Sequence, residues 1–377
     1  MIIGFIWSLK SCAIFSEEMN FLAGEPDKWP LLSIIIPACN EEEHIGEALG
    51  SLLKQDYPNF EIVAINDRST DGTGEILDEL AGTDPRLNVL HVKELPSGWL
   101  GKVNALHMGV GQAKGEWFLF TDADVHFHPG ALRRTLAYAM YRKIDHLALF
   151  PKVLVNSLLL DISVRTFGLF FLLSTRSPLV NREGSRTPMG IGAFNLVSSE
   201  MFSLTPGFEW LRQEPCDDYG LGLMVNRAGG VTRFAVAEED LSLAWYGDVK
   251  EMFKGLEKNL FGPGLGYQWW RMLFTVFFLP ALAVAPPFAL AAGIMTGSSL
   301  LLASASAAFG AHLALMLLFI PEKGRESLSL IFLPFGFVIF SLMMLWSAFR
   351  CLKNGGIDWR GTHYSTEELK KGQRVKF

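Results

Sequence analysis

Apolar residues come in short runs through the first two thirds of the chain and in long ones through the last third. Ser33 to Ile36 has the pattern of a buried strand ended by Pro37, Glu42 to Gln55 that of a helix, Glu61 to Ile65 a second strand and Thr73 to Leu80 a second helix. Leu87 to His91 predicts a third strand, Lys102 to Ala113 a third helix, and Trp117 to Thr121 a fourth strand running into Asp122. Strand and helix alternating in this way predict an α/β fold, a mostly parallel sheet flanked by helices with right-handed crossovers. Such sheets bind ligands at the carboxyl ends of their strands.

The long runs are Met272 to Met295, Ser299 to Ile320 and Leu328 to Phe349, each free of Asp, Glu, Lys and Arg. At 1.5 Å per residue each can cross a hydrocarbon core of roughly 30 Å, so residues 271–350 are expected to hold two or three transmembrane helices. The loop Pro321 to Ser327 and the basic tail, residues 351–377, both have a cytoplasmic look under the positive-inside rule, and three full crossings cannot put both on one side. Pro280, Pro286 and Pro287 make the first run a candidate re-entrant or interfacial segment, leaving two spans. Within residues 1–30, Ile2 to Phe15 is too short to span and is expected to be an interfacial lead-in. Leu158 to Leu173, in a segment near 157–175, is interrupted by Asp161 and Arg165; it fits a helix lying on a bilayer or a buried helix of the soluble domain, residues 31–260.

Composition narrows the function. Of 377 residues half are hydrophobic and only 19% are charged, with a mean hydropathy of +0.25, which excludes a disordered chain. A net charge of −6 argues against nucleic acid as a partner. Cys12, Cys39, Cys216 and Cys351 have neither metal-ligand nor disulfide-framework spacing, in keeping with a catalytic part that faces the cytoplasm.

Three strand ends carry polar clusters: Pro37-Ala38-Cys39-Asn40-Glu41-Glu42, Asn66-Asp67-Arg68-Ser69-Thr70-Asp71-Gly72-Thr73 and Asp122-Ala123-Asp124. Singly, each is an ordinary turn or helix cap. Together they place carboxylates at the edge of a ligand crevice, where the hard oxygens of Asp122 and Asp124 suit Mg²⁺ or Mn²⁺ bridging the phosphates of a departing nucleoside diphosphate.

These stretches, with Leu95-Pro96-Ser97-Gly98-Trp99-Leu100-Gly101-Lys102 and Asp217-Asp218-Tyr219-Gly220-Leu221-Gly222, resemble the inverting family 2 glycosyltransferases with the GT-A fold, five motifs in order over roughly residues 31–260. The resemblance implies that Pro37, Asn40 and Glu41 line the nucleotide pocket and that Asp67 contacts base or ribose. Lys102 would lie near the diphosphate, Asp124 with Asp122 would hold the divalent metal, and Asp218 would be the general base on the acceptor hydroxyl. Asp217 and Asp218 also fit a pair complementing the dipole of a helix over Tyr219 to Ala228. The glycine-rich Met189 to Asn195 would be a strand beside sugar and acceptor. Phe208, Trp210 and Leu211 fit either an apolar acceptor entrance or core.

Where processive synthases carry Q/R-x-x-R-W, this chain has Gly255-Leu256-Glu257-Lys258-Asn259-Leu260-Phe261; Lys258 supplies a positive charge toward the diphosphate, and the Trp is missing. The Leu-Pro-x-Gly-Trp-x-Gly-Lys stretch and the tail Asp358-Trp359-Arg360-Gly361-Thr362-His363-Tyr364 are most similar to membrane glycosyltransferases of carotenoid and hopanoid pathways. The expectation is a metal-dependent, inverting transferase moving a sugar from a nucleotide donor, UDP-linked by analogy, to a membrane lipid, in a multi-pass protein of the cell's inner membrane. The alternatives are a processive polysaccharide synthase and a non-catalytic membrane module with a transferase-like domain. A transporter is disfavoured, because His312 is the only ionisable residue in the long runs.

Overall fold

The strand β1 (Leu32–Ala38) is buried at six of its seven positions, and β2 (Phe60–Asp67) at seven of eight. Strands apolar on both faces need cover on both, which is the environment of a parallel sheet between helices. In the computed structural model, which describes residues 26, 28–319 and 331–376, these strands pair in parallel, Ile35 opposite Val63. The N-terminal lead-in up to residue 25 and the basic loop at 321–327 lie outside the described residues.

The described chain divides into two compact units, one of which gathers the residues up to Leu154 with Thr175–Trp245 and Asp358–Lys376. Its main sheet has seven strands in the order β3-β2-β1-β4-β8-β6-β9, with β3 Leu87–Val92, β4 Trp117–Phe120, β6 His146–Phe150, β8 Asn195–Ser198 and β9 Thr232–Val236. All neighbours run parallel except β8, which is antiparallel to both β4 and β6. Chain order reverses between β1 and β4, so the crevice at their carboxyl ends is the topological switch point of the sheet. A small second sheet joins β5 (His126–Phe127), β10 (Leu241–Leu243) and β7 (Lys152–Val153).

The first helix, α1, is Ile45–Leu53, three residues later than Glu42, and buries Ile45, Ala48, Leu49 and Leu52. It is followed by α2 (Thr73–Thr83), α3 (Gly101–Gln112) and α4 (Ala131–Tyr141). Met189 to Phe194 is not a strand as the glycine-rich pattern suggests. It is an irregular segment crossing the start of α6 (Asp217–Arg227), and pairing begins only at Asn195. A Cβ on Gly190 would overlap the Asp218 carbonyl oxygen and one on Gly222 the Met189 carbonyl oxygen, so backbone lies on backbone at this crossing.

The tail also returns to this unit. After β11 (Gly356–Trp359) and β12 (Thr362–Ser365), a hairpin, the short helix α10 (Thr366–Gly372) opens on a capping box between Ser365 and Glu368. Buried Glu214 then accepts the backbone N–H groups of Arg374 at 2.7 Å and Val375 at 2.9 Å through one carboxylate oxygen. Both Arg374 and Arg227 lie over the ring of Trp210.

The second unit is Val155–Ser174 with Tyr246–Ile357. It contains α5 (Leu158–Ser174), α7 (Trp269–Thr296), α8 (Ser299–Phe319) and α9 (Leu333–Asn354). Pro280, Pro286 and Pro287 do not break α7, which continues through them for 28 residues, about 42 Å. Within the unit α5 faces α9: Phe170 stacks on Phe340 with centroids 4.8 Å apart, and the missing Cβ of Gly336 leaves room for the Thr166 hydroxyl. Both α7 and α9 are long and apolar enough to cross a membrane.

Replacing Gly222 by Ala forces the two backbones apart where nothing at their end of the contact can rotate away. Gly222→Ala is expected to lower stability by on the order of 2 kcal/mol, read as a drop in the thermal midpoint, whereas Gly50→Ala, where a Cβ meets open space, should not lower it.

Candidate active site

The loops at the ends of β1 and β2 are laced together before any ligand is considered. Asn40 accepts the Thr70 N–H on its side-chain oxygen at 2.8 Å, the Glu41 N–H donates to the Thr73 hydroxyl at 2.8 Å, and the Gly72 N–H donates to the Glu42 carboxylate at 2.7 Å. Burial is the largest single influence on the Asp71 carboxyl and pushes it up, but the hydrogen bonds it accepts from Thr73 and Glu42 together outweigh this and hold it below its ordinary range. Asn40 therefore shapes the loop with its side chain, and Pro37 forms part of the wall beneath it, beside Lys102 and Asp122.

Asp67, at the end of β2, is only 3% exposed. Its carboxylate is gripped by both forks of Arg68, at 2.8 and 3.1 Å, and lies against Gly101, where a side chain would not fit. The expected base or ribose contact thus falls to a carboxylate already paired with a cation, and Arg68 is its exposed face.

Lys102, second residue of α3, reaches across the switch point. Its ammonium is 2.6 Å from Asp122 and 3.5 Å from Asp217. Burial opposes its charge, yet Asp122, Asp217 and Asp218 together hold its pKa well above the ordinary value. Asp217 and Asp218 sit in the first turn of α6, where the helix dipole favours negative charge.

One glycine joins the two acidic elements. The Gly192 carbonyl accepts the Asp122 N–H at 3.1 Å, and the Gly192 N–H donates to the Asp218 carboxylate at 3.0 Å. The other Asp218 oxygen accepts the Tyr219 N–H at 2.7 Å. Beneath lies a buried polar chain: Asn195 donates to the Asp218 carbonyl at 3.3 Å and contacts His146 at 3.1 Å. Burial pushes the His146 pKa down to about 4, so this imidazole is neutral at pH 7 despite its bond to Asn195.

Crowding leaves its mark on the carboxylates. Burial first, then Asp122, raises Asp124 to about 6; burial and Asp217 raise Asp218 to about 6 against the pull of Lys102. Glu41 is pushed up to about 7 by burial and by Asp124, Asp122 and Asp71, although Arg360 opposes this. Among the described residues no three His, Cys, Asp or Glu side chains form a complete metal cage. Asp122, although one of its oxygens is paired with Lys102, and Asp124 do offer hard oxygen donors from one loop, which fits a divalent cation completed by phosphate oxygens.

Of the other expected residues, Lys258 lies in the second unit, in the turn Glu257–Asn259. Phe208 and Leu211 are core, Phe208 packing edge-on against Phe120 with centroids 5.2 Å apart, while Trp210 is the surface held by Arg227 and Arg374. Sequence reasoning missed the tail residues: Arg360 pairs with Glu41 and donates to the Asn40 carbonyl at 3.2 Å, Thr362 accepts from Arg68 at 3.0 Å, and the Tyr364 hydroxyl accepts the Gly101 N–H at 3.1 Å. No local pattern announces a contact across 320 residues.

Residues 33–202 match the family model described as Glycosyl transferase family 2, so the chain carries a glycosyltransferase domain. An uncharacterized glycosyltransferase of Haemophilus influenzae is 36% identical over 118 residues, 31% of this chain and 35% of that protein. Chondroitin synthase of Pasteurella multocida is 28% identical over 200 residues, 53% of this chain and 19% of that one. The chain thus spans about a third or less of the length of these relatives. In fold it is similar to the mannosyltransferase PcManGT from Pyrobaculum calidifontis, solved with GDP-Man and Mn²⁺: TM-score 0.50, 18% identity, 92% of this chain and 97% of that one. The mostly parallel sheet with flanking helices is that of the GT-A fold.

Carboxyls whose folded-state pKa lies above the unfolded value favour folding while protonated, and that contribution is lost as pH rises through the folded pKa. For Asp124, Asp218 and Glu41 the window is about pH 4 to 7. In metal-free buffer the thermal midpoint of Asp124→Asn should therefore fall less than that of the native chain between pH 5 and pH 8; equal falls would contradict the burial assigned to Asp124.

Proposed function

We propose that this chain is a divalent-metal-dependent, inverting glycosyltransferase that moves one sugar from a nucleoside-diphosphate donor to a hydroxyl of a membrane lipid, an acceptor of carotenoid or hopanoid type. The observation that carries this reading is the meeting of Asp122 and Asp218 on the two sides of Gly192 at the sheet's switch point. One carboxylate pair then serves the leaving phosphates and another serves the acceptor, on opposite sides of a single crevice, as in-line displacement with inversion requires.

Asp122 and Asp124 would hold Mg²⁺ or Mn²⁺, which when bound supplies positive charge to the diphosphate oxygens. Lys102 pairs with Asp122 and Asp217 and fixes them, and the N-terminal amides of α3 lie beside it, a favourable setting for phosphate. Asp218 takes the proton of the acceptor hydroxyl on its carboxylate as that oxygen attacks the anomeric carbon. The Gly192 and Tyr219 N–H groups orient the base, and its pKa near 6 leaves it ionised at pH 7 yet basic enough to accept a proton.

The lipid side of the reading rests on α7, whose Trp269, Trp270, Phe274, Phe277 and Phe288 are exposed, Phe277 to 73%. Because Asp358–Lys376 belongs to the same unit as Thr175–Trp245, the intervening segment must cross a bilayer an even number of times. The pair α7–α8, joined at Gly297–Ser298, meets that condition. In this arrangement α9, half buried and packed on α5, lies at the surface, and both the loop 321–327 and the tail stay on the cytoplasmic side. A second reading, extension of a polysaccharide, is favoured by the match to chondroitin synthase over 53% of the chain.

Transfer of label from a panel of nucleotide sugars into the organic-extractable fraction of expressing membranes tests the proposal; label found only in insoluble polymer would favour the second reading. Asp218→Asn should lower turnover by roughly 10²–10⁴-fold with nucleotide binding retained, and kcat/KM of the native chain should fall below about pH 6. For the topology, single cysteines in a cysteine-free background should react with an impermeant maleimide in intact cells at Ser298, and at Lys323 and Lys370 only after permeabilisation.

A further inference from the structure

The tail hairpin lies on the donor side of the crevice, and the function proposed above leaves it unused. Its turn, Arg360-Gly361, has both residues in the left-handed region, φ 49° and 76°, a tight hairpin turn that ordinarily takes Asn, Asp or Gly. An arginine carried there at a conformational cost points to a task for its side chain. Two more non-glycine residues with positive φ, Asn40 at 55° and Arg68 at 57°, are the ones the hairpin touches. Three strained residues from three distant parts of the chain therefore meet at the carboxyl ends of β1 and β2.

The contacts single out the phosphate-binding elements. Arg360 reaches the β1 loop through Glu41 and Asn40, Thr362 reaches the β2 loop through Arg68, and Tyr364 reaches the first residue of α3, next to Lys102. Lys102 is committed to Asp122 and Asp217, and Arg68 to Asp67. Arg360 is the most exposed of the three cations, 45% at its side chain, and its contacts with Glu41 and Asn40 use two of a guanidinium's five donors. Glu41, drawn toward neutrality by burial first and by its acidic neighbours after it, is a partner that an incoming dianion can displace.

We infer that Arg360 is a donor-binding residue: on entry of a nucleoside diphosphate its guanidinium turns from Glu41 to the phosphate oxygens, and Thr362 and Tyr364 hold the hairpin in place to deliver it. The inference rests on the donor reading above and adds to it a wall of the pocket contributed from beyond the apolar helices. A planar fork suits phosphate in two-point contact, which an ammonium cannot reproduce.

The test is calorimetric titration of UDP and GDP, with Mn²⁺, into the full-length protein in detergent. Arg360→Gln should weaken binding of whichever nucleotide the native chain takes by roughly ten-fold or more, Arg360→Lys should restore part of the loss, and Lys371→Ala, on the exposed face of α10, should leave it unchanged. In transfer assays the loss should appear in the donor KM with kcat nearly preserved, a split that general loosening of the fold would not produce. Should Arg360→Gln fail to fold, Tyr364→Phe, which keeps the ring and removes the acceptor of the Gly101 N–H, should raise the same KM. Unchanged nucleotide binding in Arg360→Gln, with the native chain binding normally, overturns the inference alone; absence of nucleotide binding by the native chain overturns the donor reading and this inference with it.

Discussion

Lys102 stands where two segments that are remote in sequence bring Asp122 and the adjacent Asp217 and Asp218 around a partly buried space. Carboxylates removed from water and set against one another protonate or move apart unless a counter-charge joins them. A single ammonium at 2.6 Å from one and 3.5 Å from another supplies that counter-charge and fixes the start of α6 against the end of β4. The glycines serve the same constraint. Only a residue without a Cβ passes between Asp122 and Asp218 while donating to one and accepting from the other, as Gly192 does.

What the sequence makes legible follows from how local each cause is. β1, β2 and β4 stand out because strands buried on both faces are written as continuous apolar runs, and the polar residues at their ends mark the crevice. Asp122 and Asp124 are marked out for the same reason, whereas Asp218, at the start of α6, is singled out only by the family resemblance. The start of α1 is not: Glu42 has good helical propensity, but its carboxylate is taken by the Gly72 N–H and its own N–H by Asp71, so the chain turns there and becomes helical at Ile45. Met189 to Phe194 has strand-like composition, yet its glycines are used for close approach to α6, and the backbone bonds of Gly192 go to Asp122 and Asp218. The tail is illegible for a third reason, since Asp358 to Tyr364 has no periodicity that tells it to return to β1.

The two units follow different physical rules. In the first, charge is buried and every carboxylate of the crevice is answered by a cation, a backbone N–H or a raised pKa. In the second, large apolar side chains of α7 are exposed, while α5 and α9 bury theirs against each other through stacked rings and a glycine contact. Charge balance in the one and apolar exposure in the other are the complementary needs that the proposed transfer, from an anionic donor in water to a lipid, would have.

The hairpin that carries Arg360 comes after α7, α8 and α9 in the chain. During synthesis the sheet, Lys102 and the acidic cluster leave the ribosome first, and the apolar helices must find their own environment before Asp358 to Tyr364 can reach the ends of β1 and β2. A growing chain therefore holds a complete set of acids over an unfinished wall, and the contacts of Arg360, Thr362 and Tyr364 form only after the helices between have been placed. Completion of the pocket is thereby made a late event in the life of the molecule, one that reports on the placement of everything before it.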